Sequence, residues 1–177
     1  MLGVVGISRE KEVAGHCYST GLRSVVGQAF AEPIEAESLD EVVLVMRRSS
    51  GLRFDEQLPG FHFYGTSICL EAEARDMKSY IVPAFCVHNS NGVTHFPPDF
   101  WRAYFYLRRE WWTRLPVRTT CTTITKGYAP FLRATVKDVG GALVGHRTAG
   151  SRSSDVARLY ESLRRNQGVV PEAAQIA

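Results

Sequence analysis

Apolar positions along the chain fall into blocks of different period. Residues 1–38 hold many glycines and small residues with short apolar runs at 2–7 and 24–26, a pattern that predicts strand and loop rather than helix. Residues 41–46 (EVVLVM), led in by Leu39 and Asp40, are nearly continuously apolar and predict a strand buried on both faces that ends at Arg47 and Arg48. Residues 49–65 then predict a loop, with Pro59, Gly51, Gly60 and Gly65 among aromatic and ionisable side chains. Thr66 is placed to cap a helix running to Lys78, whose apolar positions are Ile68, Leu70, Ala72, Ala74 and Met77. Residues 79–87 predict a second strand, leaving through His88, Asn89 and Ser90.

Pro97, Pro98 and Asp99 open a second predicted helix, ending at Pro116, with a wide aromatic stripe that includes Phe100, Trp101, Tyr104, Phe105, Trp111 and Trp112. Such a stripe is more often core than a surface for sugars. Residues 128–144 are apolar without a decisive period, whereas 154–165 repeat Val156, Leu159, Tyr160 and Leu163 at helical spacing. Residues 169–177 read as a frayed end. The order strand, loop, helix, strand, helix predicts a mixed α/β fold with little antiparallel content.

Composition narrows the class. The chain has 177 residues, 45% of them hydrophobic, enough for one domain with a real core. No apolar run approaches the roughly 20 residues that cross a bilayer, and the first residues lack a signal-peptide layout, so the expectation is a cytoplasmic protein without a membrane span. Cys17, Cys69, Cys86 and Cys121 lie far apart and include no C-x-x-C pair, which argues against a zinc knuckle and for reduced, mostly buried thiols. The formal net charge of +3 comes from arginines concentrated after residue 100. The absence of an RNA-binding, zinc-finger or basic-zipper pattern, with acidic residues before 80, argues against a nucleic-acid partner.

Four segments in order carry a resemblance: LDEVVLVMR at 39–47, GLRFDE at 51–56, PGFHFYGTSICL at 59–70 and AFCVHNS at 84–90. They are similar to family 2 glycosyltransferases of the GT-A fold, in the branch of streptomycin-biosynthesis glycosyltransferase-like proteins. The resemblance covers about residues 3–115. It implies an incomplete GT-A-like α/β domain at 1–125, a mixed sheet with flanking helices, and a helical extension at 126–177. It implies transfer of a sugar from a nucleotide-sugar donor to a carbohydrate or other hydroxyl acceptor, with Mn or Mg bridging the donor diphosphate. In such a reaction a cation neutralises the leaving diphosphate and a base takes the acceptor proton.

Two departures from the family pattern shape the expectations. Ser67 stands where the family has its catalytic aspartate, and the segment that would bind the nucleotide, with its Asp-x-Asp motif, does not precede it here. Cation binding is therefore expected to be weak or absent. By the resemblance, Ser67 and His62 are the catalytic candidates, Asp40, Asp55, Glu56 and Tyr64 the acceptor-binding ones, and His88 the metal ligand. Each has a plainer reading: His88 as a strand-end histidine, His62 as a loop-fixing hydrogen bonder, Asp55 and Glu56 as an Asx-type turn, and Asp40 as a solvated carboxylate at a strand start. The rival to an enzyme is a non-catalytic descendant that binds carbohydrate or protein.

Overall fold

A computed structural model describes residues 1–92, 96–144 and 150–166. Ten strands and four α-helices follow one another along them. The strands are β1 (Leu2–Gly3), β2 (Val5–Ser8), β3 (Val13–Ser19), β4 (Ser24–Gly27), β5 (Ile34–Leu39), β6 (Leu44–Val45), β7 (Ser79–Ile81), β8 (Cys86–His88), β9 (Val117–Arg118) and β10 (Thr123–Ile124). The helices are α1 (Tyr64–Ala74), α2 (Pro98–Glu110), α3 (Ala129–Val144) and α4 (Val156–Asn166). Eight strands form one mixed sheet in the order β4-β3-β2-β5-β7-β1-β6, with β8 added beside β3, and β9 and β10 form a separate hairpin.

The mixed α/β class agrees with the sequence pattern, but the pairing does not. Only β1–β7 and β3–β8 run parallel; β1–β6, β2–β3, β2–β5, β3–β4 and β5–β7 are antiparallel. The first 39 residues account for this, because they fold as consecutive hairpins in place of strand–helix–strand crossovers. The central buried strand is β5, whose sequence IEAESL carries polar residues, and the EVVLVM run supplies only the short edge strand β6 with Val45 half exposed. Two partners make a polar strand acceptable in the interior. Lys11 reaches the buried Glu37 in an ion pair, and the Ser38 hydroxyl donates to the Arg118 carbonyl at 2.7 Å.

The segment 79–87 is likewise not one strand. Pro83, which cannot donate to a ladder, falls where β7 stops pairing with β5 and β1, and the chain resumes as β8 against β3. β6 and β7 share the sheet but are separated by β1, while α1 packs on β5 and β7.

The core lies mainly under the helices. Phe63, Leu70, Phe100, Ala103, Tyr104, Leu107, Val117 and Ile124 form the largest buried group, so the inner side of the aromatic stripe of α2 is core, as its spacing predicts. A second group joins α1 to the sheet through Cys69, Ala36, Leu39 and Ile81. The apolar segment at 128–144 is helical from Ala129, and the amphipathic segment forms α4, whose Tyr160 stacks on Phe85 beside β8. Residues 169–177 lie outside the described residues.

Three backbone segments meet closely where β8 leaves the sheet. The Gly150 N–H donates to the Gly21 carbonyl at 2.9 Å, and a Cβ on Gly21 would fall 2.4 Å from Gly92 backbone atoms. A Cβ on Gly150 would sit 1.9 Å from the Thr20 carbonyl oxygen. The Thr20 hydroxyl donates to the Ser90 carbonyl at 2.7 Å, and Asn89 exchanges two bonds with the Ser153 backbone.

Candidate functional site

β3, β5 and β8 point the same way, so Asp40 and His88 come out on one edge of the sheet. Asp40 leaves β5 with its backbone still tied to Val5, and its carboxylate accepts from the Val42 N–H and the Thr120 hydroxyl. Glu41 follows. Its Oε1 accepts the Gly65 N–H at 3.2 Å, and its carbonyl accepts the Tyr64 hydroxyl at 3.2 Å. The start of α1 is thus served from another part of the chain. Phe63, in the left-handed region with φ 65°, precedes the helix and offers no side-chain cap, and Thr66 is buried in the first turn rather than capping it.

Desolvation pushes the Glu41 carboxyl up to about 7, and the neighbouring Asp40 charge adds to it, against the lowering effect of the backbone N–H groups. The Tyr64 hydroxyl is raised for the same reasons, by burial and by both carboxylates. His62 lies across the crevice with its ring edge-on to Phe100 at 5.3 Å; burial lowers its pKa and Asp99 partly opposes this. Leu39, Glu41, His62, Thr66, Thr119, Thr120 and Cys121 enclose a free volume of about 10 Å³. That is room for a single water or hydroxyl group.

Two aromatic rings cluster on the Tyr64 side chain, whose hydroxyl is bound to the Glu41 carbonyl. Phe54 and Phe61 pack against Tyr64 at 5.5 and 5.4 Å, and Phe61 remains 76% exposed. An exposed aromatic face beside a half-buried acid pair suits a ligand with a C–H face and hydroxyl groups.

The remaining expected residues scatter. Ser67 is buried in the first turn of α1 and does not line the crevice, where Thr66 faces it instead. Asp55 is exposed, makes an Asx-type bond to the Gln57 N–H at 2.9 Å and accepts the Tyr106 hydroxyl at 2.6 Å; Glu56 is exposed beside it. His88 ends β8 opposite Ser19, farther along β3 than Gly15, which pairs with Val5 near the level of Asp40. Among the described residues no group of three or more His, Cys, Asp or Glu side chains converges as a metal site. Among the described residues, the donors around His88 therefore do not make up a ligand set for a divalent cation.

Glu41, Phe54 and Phe61 were not singled out by sequence reasoning. Glu41 sits in an apolar run that masks it as a strand residue, and only the contact with the distant Gly65 N–H reveals its position.

No family model matches the chain. A relative from Fuscovulum blasticum, "ATP synthase subunits region ORF 6", is 34% identical over 61 residues, which is 34% of this chain and 24% of that protein. The chain thus spans about a quarter of that relative's length.

Proposed function

We propose that this chain carries the acceptor side of a GT-A-like glycosyl-transfer domain, with Glu41 as the proton acceptor. The observation that carries the reading is a half-buried carboxyl poised at about 7 in a crevice sized for one hydroxyl, with the exposed Phe61 packed on Tyr64, whose hydroxyl is bound to the Glu41 carbonyl. A base works best when its pKa lies near the operating pH, and such a group contributes ~10²- to 10⁴-fold to the rate. In this reading the acceptor sugar stacks on Phe61 and Tyr64 and directs one hydroxyl to Glu41. That hydroxyl oxygen bonds to the anomeric carbon of the donor, its proton passes to Glu41, and the bond to the departing nucleoside diphosphate breaks. His62 lines the wall and Asp40 keeps the charge state of Glu41 near its balance point. Ser67 takes no part as a base, since a hydroxyl with an ordinary high pKa does not replace a carboxylate.

The test is release of nucleoside diphosphate from uridine diphosphate sugars by this chain joined to a supplied nucleotide-binding half, in the presence of a panel of hydroxyl acceptors, measured across pH. Glu41→Gln lowers the rate ~10²-fold or more, and the wild-type acid limb lies near pH 7. Acceptor-dependent release that is unchanged in the variant refutes the role of Glu41. One observation favours the alternative of a non-catalytic carbohydrate-binding descendant: Glu41 already serves the α1 N-terminus. In that case a carbohydrate broadens the Phe61 and Tyr64 ring signals in NMR spectra, and no donor is consumed.

A further inference from the structure

We propose that Cys17 and Cys86 form a reversible disulfide that clamps β8 onto β3. The two residues are direct register partners in a parallel pair. Adjacent strands lie about 4.8 Å apart, inside the Cα separation that disulfides span without backbone movement. Their side chains also share one small cluster, in which Cys17 is buried with Val4 and Val5 and the half-buried Cys86 packs against it.

The chemistry divides the roles. The neighbouring Cys86 thiol and the His88 backbone hold the Cys17 thiol below its ordinary pKa, while the Cys17 Sγ also reaches the Tyr18 carbonyl at 3.7 Å; proximity to Cys17 and burial push Cys86 up. Cys86 is the more exposed of the two and so meets a small-molecule disulfide first. The minor thiolate form of Cys86 attacks one sulfur of the reagent, one reagent thiolate departs and takes up the proton that Cys86 has lost, and a mixed disulfide remains. The Cys17 thiolate then attacks the Cys86 sulfur, and the second reagent thiol leaves, taking up a proton. Two protein thiols are oxidised and one reagent disulfide is reduced to two thiols. Cys69 is set apart from this exchange, because it is buried under α1 with its thiol pushed up to about 11.

Among the described residues β8 pairs with β3 alone, and Asn89 at its exit holds the Ser153 backbone. A bond between residues 17 and 86 therefore fixes the edge strand that leads to His88 and to α4. The full chain is incubated with oxidised glutathione, quenched in acid, alkylated under denaturing conditions and mapped by mass spectrometry. The expected product is one linked peptide pair containing Cys17 and Cys86, with Cys69 and Cys121 alkylated and two hydrogens lost from the intact mass. Cys121→Ser gives the same link, and Cys17→Ser leaves glutathione on Cys86. Four alkylated thiols, a link through Cys69 or Cys121, or glutathione persisting on Cys86 in the wild type each overturn the proposal; mapping of the wild type alone decides it if a variant does not fold.

Discussion

Replacing Glu41 by Gln separates two effects that oppose each other at one carboxylate. As a negative group at the start of α1 it gains ~0.3–1 kcal/mol from the helix dipole. As a crowded carboxyl beside Asp40 it is raised from 4.5 to about 7. At 1.36 kcal/mol per unit this is at most about 3.4 kcal/mol against the ionised form, and partial solvent access reduces it to about 1–2 kcal/mol. The raised value already includes the stabilising N–H groups, so desolvation wins. The sign follows. Between pH 4.5 and about 7 the folded state binds more protons than the unfolded chain, so the wild type loses stability as pH rises through that window. Gln keeps an oxygen for the Gly65 N–H without the charge. Urea unfolding of both proteins from about pH 4 to about pH 8.5 should show equal stability at the acid end and a variant about 1–2 kcal/mol more stable at the alkaline end. A variant less stable above pH 7, or a difference that does not change with pH, refutes the assigned balance of forces.

Two further substitutions probe how the crevice is built. A Cβ on Gly65 would lie 2.5 Å from the Leu39 carbonyl oxygen, so Gly65→Ala forces α1 away from β5 and lowers stability by about 1–3 kcal/mol despite the better helix propensity of alanine; a raised urea midpoint would contradict this. Phe100 is 1% exposed and touches Phe63, Phe96, Trp101 and His62, so Phe100→Ala costs about 3–5 kcal/mol in thermal or urea unfolding. The same change opens His62 to water, and its NMR titration midpoint moves up; an unmoved midpoint removes burial as the cause of its depression.

What the sequence showed depended on whether the deciding contact was local. The aromatic stripe of α2 declared itself, because helical spacing and Pro98 at its start lie within one segment. β5 did not, since Glu35, Glu37 and Ser38 look like surface until Lys11 and the Arg118 carbonyl are brought to the last two. Asp40 and Tyr64, candidates through the resemblance alone, are bonded to Thr120 and to the Glu41 carbonyl, contacts that bear on the local fold and not on an acceptor-binding role. Glu41 was hidden because its role is set by an N–H twenty-four residues away. Ser67 was placed correctly on α1, but its burial depends on which face of that helix meets β5, which the weak amphipathicity of YGTSICLEAEA does not reveal.

The crossing of Gly21, Gly92 and Gly150 has a practical consequence for mutational mapping. There the exit of β8 and the approach to α4 are held by close main-chain approach at the glycines as well as by the Thr20 hydroxyl and the Asn89 side chain. Truncation to alanine, the usual way of scoring importance, removes the Thr20 and Asn89 bonds but at the three glycines removes nothing and adds bulk instead. A scan that skips glycines would therefore miss the backbone share of this junction, although a single methyl group at residue 150 would collide with the Thr20 carbonyl. Enlarging substitutions are the ones that would expose it.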